Sequence, residues 1–415
     1  MPGTVHVIGA GIAGLAAAVR LASRGSRVVV HEATSQAGGR CRSYHDPALD
    51  MMIDNGNHLV LSGNRAAMAF LDTIGARDRL VGPASARFPF IDLKSGRRWT
   101  LRPNDGRIGW WIFVRDRRVP DTSAGDYLTL LKLLRAGPNA AIGDVLNCSG
   151  PLYERLVGPL LLAALNTEPP LGSAALAAAV IRETLGAGGK SYRPLIAGDG
   201  LSAAFVDPAL AYLKAKGGFI RFGQRLRAIS GEGQRVTSLD FGDENLLVTP
   251  EDAVVLAVPP VVAASLLPGL ETPTEFRAIL NVHFKVEPPH GIEPITGVVN
   301  GLVEWLFAFP DRLSVTISCA DRLLDTPRED LAALIWREVA EIAGVAAPMP
   351  PWQIVRERRA TFAALPAQNA RRPGATTEWQ NLFLAGDWTA TGLPATIEGA
   401  IRSGNRAADL VASPG

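Results

Sequence analysis

A glycine pattern and an acid stand at the start of the chain. "VIGAGIAGL" sets Gly9, Gly11 and Gly14 in a G-x-G-x-x-G register, and Glu32 closes the next apolar run, "RVVVHEA". Gly9 permits a tight turn, Gly11 lets a pyrophosphate approach the backbone, and Gly14 lets helix and strand pack closely. A helix beginning at Ile12 and Ala13 turns its free N–H groups and its dipole toward such a phosphate. Glu32, with Ala33 after it, stands where a carboxylate accepts from a ribose 2′-hydroxyl and repels a 2′-phosphate.

The segment beyond the acid points to FAD rather than NAD. In "QAGGRCRS", Gly38 and Gly39 allow the chain to fold over a dinucleotide, and Arg40 can reach its phosphates. "DNGNHLV" then supplies Asp54, Gly56, Asn57 and His58, a polar cluster between apolar flanks that can cross near a flavin. Near the other terminus, "LFLAGDWT" places Gly386 and Asp387 after an apolar strand, where a carboxylate binds ribityl hydroxyls or caps a helix. The helix opened by Pro394, Ala395, Thr396 and Ile397 would aim its N–H groups at the N1/C2=O side of an isoalloxazine. "GAGGK" at 186–190 lacks a preceding strand, so no tightly held pyridine nucleotide is expected beside the flavin.

Secondary structure has to carry these groups. Val5–Ile8, Ile12–Ser23 and Arg27–His31 read as strand, helix and strand in a parallel crossover. Arg65–Ile74 reads as a helix, and 84–101 as an antiparallel hairpin. The middle carries helical candidates at Tyr127–Leu134, Pro151–Leu165 and Gly172–Leu185. A helix at Asp207–Lys216, short strands and a fully apolar strand at Ala253–Val258 come next. "NVHFKV", "VEWLFAF" and "LSVTISCA" read as strands, with a helix over Arg328–Ile342. The expected fold is α/β: a discontinuous FAD-binding Rossmann-like domain at 1–82, 200–265 and 371–415, with an inserted α+β substrate domain at 83–199 and 266–370.

Composition narrows the function classes. The 415 residues are 47% hydrophobic and 20% charged with a net charge of +2, so a two-domain globular enzyme is expected and a nucleic-acid partner is not. Cys41, Cys148 and Cys319 form no CxxC, which fits a reducing compartment. The six histidines have no metal-ligand spacing, and no metal is expected. "MPGTVHVIG" runs straight into a strand without a signal-peptide pattern, which points to the cytoplasm. "AVVLAVPPVVAASLLPGL" is broken by Pro259-Pro260 into a buried strand, a turn and a short helix rather than a membrane span. Peripheral contact with the inner face of the cytoplasmic membrane is compatible with this composition.

"VIGAGIAGLAAAVRL", "HEATSQAGGRCRS", "IDNGNHLVLSGN", "PLLLAALNTEPP", "GLSAAFVDPALAYLKAKGG" and "NLFLAGDWTATGLPATIEGAIRSGNRAAD" span both ends and the middle of the chain. Through them the chain resembles the flavin amine oxidase and phytoene desaturase superfamily. Within it the chain looks most like the hydroxysqualene dehydroxylases, the squalene-associated FAD-dependent desaturases of hopanoid biosynthesis. The resemblance implies that Glu32 binds the adenosine ribose and that Arg40 and its glycines secure the diphosphate. It further implies that Leu226 presents its backbone to adenine, while Gly386, Asp387 and Pro394–Ile397 hold the ribityl chain and ring.

The implied reaction removes the hydroxyl of hydroxysqualene by ionisation of the C–O bond and hydride delivery from reduced FAD. Squalene, water and oxidised FAD result. The chamber must be dry, because a cation exposed to water is recaptured as alcohol. Apolar walls between Tyr127 and Leu185 and in "WLFAF" suit a long polyprenyl chain, burying which contributes roughly 25 cal/mol per Å². Candidates for the proton donor are His58, Glu168, Tyr192 and Asp199. The electron donor is an unidentified partner. Alternative activities are desaturation of a carotenoid-like chain, amine oxidation, and a flavin-bound protein without turnover.

Overall fold

A computed structural model describes residues 3–412. Thr4–Ile8 and Arg27–His31 are short, Val-rich and bounded by glycine turns, and both are largely buried. They join three other strands in a parallel sheet of order Phe219–Arg221, Arg27–His31, Thr4–Ile8, Ala253–Leu256, Leu382–Leu384. Parallel pairing demands crossovers, and the first is the Ala-rich helix Ile12–Ser23. The last strand feeds the terminal helix Ile397–Ala412, which lies against that first helix. Their contact is close because residue 404 is glycine: a Cβ there would sit 2.1 Å from the carbonyl oxygen of Ala13.

A second sheet of seven strands is antiparallel apart from one pair. Its order is Trp352–Phe362, Phe276–Phe284, Arg312–Ile317, Trp305–Phe309, Ile295–Val299, Phe88–Asp92, Arg97–Leu101. Leu280, Val282, Leu306, Val315 and Ile317 share one apolar cluster with Leu331, Ile335 and Trp336 of the helix Arg328–Ala343. Phe90, Trp305 and Phe307 share another with Leu161, Leu165, Leu176 and Ile181 of the helices at 158–183.

Two helices differ from the sequence reading. Tyr127–Leu134 is not one α-helix: a short turn, Ala124–Leu128, tightens into a 3₁₀ helix at Thr129–Arg135. Apolar residues there recur every three positions, which suits the eclipsed columns of a 3₁₀ helix. Pro151–Leu165 begins with a π-turn at Tyr153–Val157 before the α-helix Gly158–Leu165. Pro159 has no N–H to give the carbonyl of Arg155, and Gly158 donates instead to Tyr153, five residues back. Among the described residues no helix is long and apolar enough to cross a membrane.

Candidate flavin site and aromatic wall

The glycine turn behaves as its spacing requires. Gly9 has φ +104°, and a Cβ there would meet the carbonyl oxygen of Ala257 at 2.5 Å. A Cβ on Gly14 would fall 1.9 Å from the oxygen of Gly9. Gly11 is different: a Cβ there would meet no protein atom within 4 Å. Its glycine identity is unexplained by packing within the chain and fits the close approach of a ligand phosphate. The loop over it is tied down by Gly38, whose N–H donates to Ala10 O at 2.7 Å, and by Gly39, stacked on Gly11.

Glu32 is anchored at the strand end. Its carboxylate accepts from the Ala10 N–H at 2.8 Å and from the Thr34 N–H and hydroxyl at 2.9 and 2.8 Å. The backbone of Glu32 also pairs with Arg221 and Gln224, so the segment leading to buried Leu226 runs beside it. Leu226 lies outside the flanking strands, which leaves its backbone out of either ladder.

Arg40 and Asp387 meet. The guanidinium donates to Asp387 Oδ1 at 2.8 Å and also to the carbonyl of Ala360. Asp387 is 9% exposed in its side chain and Arg40 45%, so the arginine alone opens onto free space. Asp387 raises the already high pKa of Arg40. Beneath this pair lies a residue that sequence reading missed. Buried Arg372 donates to the carbonyls of Asp387, Trp388 and Thr389 and to the Thr391 hydroxyl, and so shapes the whole turn. Burial pulls its pKa down to about 10, leaving it charged at neutral pH.

Gly386 lies against the indole of Trp388, which a Cβ would approach to 2.3 Å. Its N–H donates to Ser403 Oγ at 2.9 Å, joining this turn to the terminal helix. Thr396 caps that helix by accepting from the Gly399 N–H at 3.0 Å. Glu398 accepts from Ala66 and Ala67 at the start of the helix Arg65–Thr73 and from Arg402.

The "DNGNH" segment is joinery between the two sheets. Asp54 accepts from Ser43 Oγ at 2.5 Å and Leu201 N–H at 2.8 Å, although burial raises its pKa. The Asn57 N–H donates to Asn281 Oδ1 at 3.2 Å, and its Nδ2 donates to Val315 O and Thr316 Oγ1. A Cβ on Gly56 would press on Asn281 at 3.2 Å. His283, two residues further along the same strand, lies 3.2 Å from Asp54 O. Asn281 and His283 were missed too, yet two polar residues at strand spacing inside the apolar run "AILNVHF" are a legible signal for such joinery.

From this junction an aromatic wall runs across the sheet. Asn281, Thr316, Trp305, Gly297, Phe90 and Trp99 are successive cross-strand partners. Paired residues project to one face. The Phe90 ring lies over Gly297, stacks on Trp99 at 5.5 Å and meets Trp305 edge-on at 5.7 Å. Phe88, on the same side of its strand, stacks on Tyr192 at 6.2 Å. The Tyr192 hydroxyl and both indole N–H groups, of Trp99 and Trp305, are buried without a hydrogen-bond partner. Asn57 Oδ1 is likewise buried and unpartnered. Among the described residues four further side-chain atoms, on His31, Gln224, Arg312 and Arg356, are also unpartnered; the four named here stand together along the wall and its junction.

The four proton-donor candidates separate. Tyr192 is 3% exposed and joins the aromatic wall. His58 is partly buried, and desolvation together with Arg40 pulls its pKa to about 4, so near pH 7 it is a neutral imidazole with one N–H rather than an acidic imidazolium. Asp199 is a correction: it sits at the surface, 72% exposed, paired with Arg79 at 3.3 Å, because "GDG" forms an outer turn. Glu168 is corrected in the same way. It is exposed, and its contribution to the "NTEPP" turn is a carbonyl that accepts from Leu171 and Gly172.

Fold and family together assign a class. Residues 12–412 match the family of flavin containing amine oxidoreductases, to which the chain belongs, and it is an FAD-dependent oxidoreductase. Cyclohexylamine oxidase from Brevibacterium oxydans superposes with a TM-score of 0.70 over 99% of both chains at 17% identity, which shows the shared fold. Within that class the chain is a member of the hydroxysqualene dehydroxylase family. It is 64% identical to the hydroxysqualene dehydroxylase of Rhodopseudomonas palustris over 100% of both chains. It is 59% identical to that of Sinorhizobium fredii over 100% of this chain and 99% of the relative.

Proposed function

We propose that this enzyme reductively dehydroxylates hydroxysqualene to squalene, with FAD held between the two ends of the chain. The observation that carries the reading is the aromatic wall with its three orphaned donors, in a chain matched end to end by hydroxysqualene dehydroxylases. The cofactor site is Gly9–Gly14, Glu32–Ala33, Gly38–Arg40, Gly56–His58, Leu226, Gly386–Asp387 and Pro394–Ile397. The FAD-binding domain is 1–82, 200–265 and 371–415, and the substrate domain is 83–199 and 266–370. The protein works in the cytoplasm, takes electrons from a separate donor, and meets its lipid substrate by peripheral contact with the inner membrane face.

Bound FAD supplies the hydride. The chain supplies the rest. Glu32 takes the ribose hydroxyl, and the free backbone at Gly11 and the half-exposed Arg40 face the diphosphate. The Tyr192 hydroxyl donates a hydrogen bond to the departing oxygen of the substrate, with Trp99 or Trp305 as a second donor. The aromatic wall supplies electron-rich surroundings for the allylic cation that forms, and water is kept away by the apolar residues around it. The net change turns alcohol and reduced FAD into hydrocarbon, water and oxidised FAD. Anaerobic mixing of the photoreduced holoenzyme with hydroxysqualene should restore the oxidised-flavin absorbance and yield squalene. Flavin that stays reduced, alongside oxidised enzyme that dehydrogenates a carotenoid-like chain, would replace this reading with the desaturase.

A further inference from the structure

The substrate domain carries an apolar surface that the dehydroxylation site does not use. Ile108, Trp110 and Phe113 project from one short segment, and Leu128, Leu131 and Leu134 from the next; Ile108 is 82% exposed and Phe113 71%. The 3₁₀ helix sorts its residues into three columns. Tyr127, Leu130 and Leu133 are buried, Leu128, Leu131 and Leu134 are exposed, and Thr129, Lys132 and Arg135 form an exposed polar edge. Trp111 turns inward onto Tyr127, edge-on at 5.2 Å, and draws the two outward apolar sets alongside each other.

Charge surrounds this surface. Residues 97–135 hold nine Lys and Arg against four Asp, an excess of five, whereas the whole chain has 42 against 40. Next to it lies a cavity of about 470 Å³ that shares Trp99 with the aromatic wall and is lined by Arg102, Arg115 and Arg118, by Asp116, and by Arg97 paired with Asp121 at 2.6 Å. Large exposed apolar patches mark interaction sites, and an aromatic and aliphatic face beside a cationic edge suits an anionic bilayer. A second copy of this chain would set like charges against each other. Behind the patch, Trp111, Tyr127, Leu130 and Leu133 belong to the same apolar cluster as Phe90 and Trp305.

From these observations we infer that residues 107–135 dock the protein on a bilayer containing anionic phospholipid. The apolar side chains enter the acyl boundary and the arginine-lined cavity receives a phosphate headgroup. This deepens the proposed lipid activity, on which it rests, by bringing the enzyme to the bilayer that holds such a substrate. The test is flotation of the holoenzyme with vesicles of phosphatidylcholine, alone or mixed with phosphatidylglycerol. Free inorganic phosphate serves as competitor, and turnover of detergent-dispersed hydroxysqualene is measured in parallel.

Wild type should float with the anionic vesicles and at least tenfold less with neutral ones, and phosphate at low millimolar concentration should not release it. Phe113→Ser with Leu131→Ser, and separately Arg115→Glu with Lys132→Glu, should each cut partitioning at least tenfold while detergent-dispersed turnover and flavin content stay unchanged. No flotation, equal flotation with both vesicle types, or undiminished binding by either variant overturns the docking surface and leaves the activity standing. A wild-type dimer that Phe113→Ser dissociates, with no flotation, assigns the patch to a chain–chain interface instead. Flotation without turnover would sink the activity and leave the docking surface standing.

Discussion

Arg40 donates to Asp387 at 2.8 Å, so an ion pair joins residues from opposite ends of the chain. Arg40→Ala should leave Asp387 buried without its cation. Because the arginine is half exposed, a stability loss of only about 1 kcal/mol is expected. FAD affinity should fall by about tenfold, as expected from losing one charge-assisted contact. Fluorescence-quenching titration of the apoprotein and thermal melts measure the two effects separately.

The glycines of the turn should respond in opposite ways. Gly11→Ala places its methyl in open space and should leave the apoprotein melting temperature unchanged while weakening FAD binding. Gly14→Ala drives a methyl onto the Gly9 carbonyl and should destabilise even the apoprotein by about 2 kcal/mol or more, as overpacking does. Equal melting temperatures for the two apo variants would contradict this division of labour.

Tyr192→Phe removes a hydroxyl that is buried without a partner. The folded chain should gain about 1 kcal/mol, since an unsatisfied polar group is no longer desolvated. The rate of anaerobic flavin reoxidation by hydroxysqualene should nonetheless fall by about 10²-fold, the scale on which a positioned donor matters. Stopped-flow absorbance and a denaturant titration together test the opposed signs.

Glu304 accepts from the Ser318 N–H at 2.8 Å, yet burial pushes its pKa up to about 7 from an ordinary 4.5. The folded chain therefore holds this proton more tightly than the unfolded one. Its stability contribution is complete below about pH 4.5 and is lost as the pH rises through about 7. Glu304→Gln should match the wild type under acidic conditions and exceed it by about 3 kcal/mol near pH 8.5, since each tenfold difference in proton affinity is worth roughly 1.4 kcal/mol. Unfolding curves at the two pH values measure this directly.

The nucleotide-binding half was legible because its parts are local. A glycine register obeys rules that act over a few residues, and Gly9 turns and Gly14 packs as the spacing predicts, while the strand-end acid Glu32 stands where its strand stops and holds Ala10 and Thr34. The pairing of Arg40 with Asp387 needed more, since both were read as ligand contacts and neither as the other's partner.

The aromatic row emerged only on folding. Trp99, Phe90, Trp305 and Asn281 come from four strands, and nothing in their local patterns says that they stand in one row. Sheet register aligns them, and register is settled by burying whole faces at once rather than by any short motif. The same holds for the proton-donor candidates: four chemically reasonable side chains were distinguishable only after folding exposed Asp199 and Glu168, neutralised His58 and buried Tyr192 against Phe88. Residue type and spacing determine what a segment can bind; solvent exposure and distance, which arise from the packing of remote segments, determine which groups are left free to act.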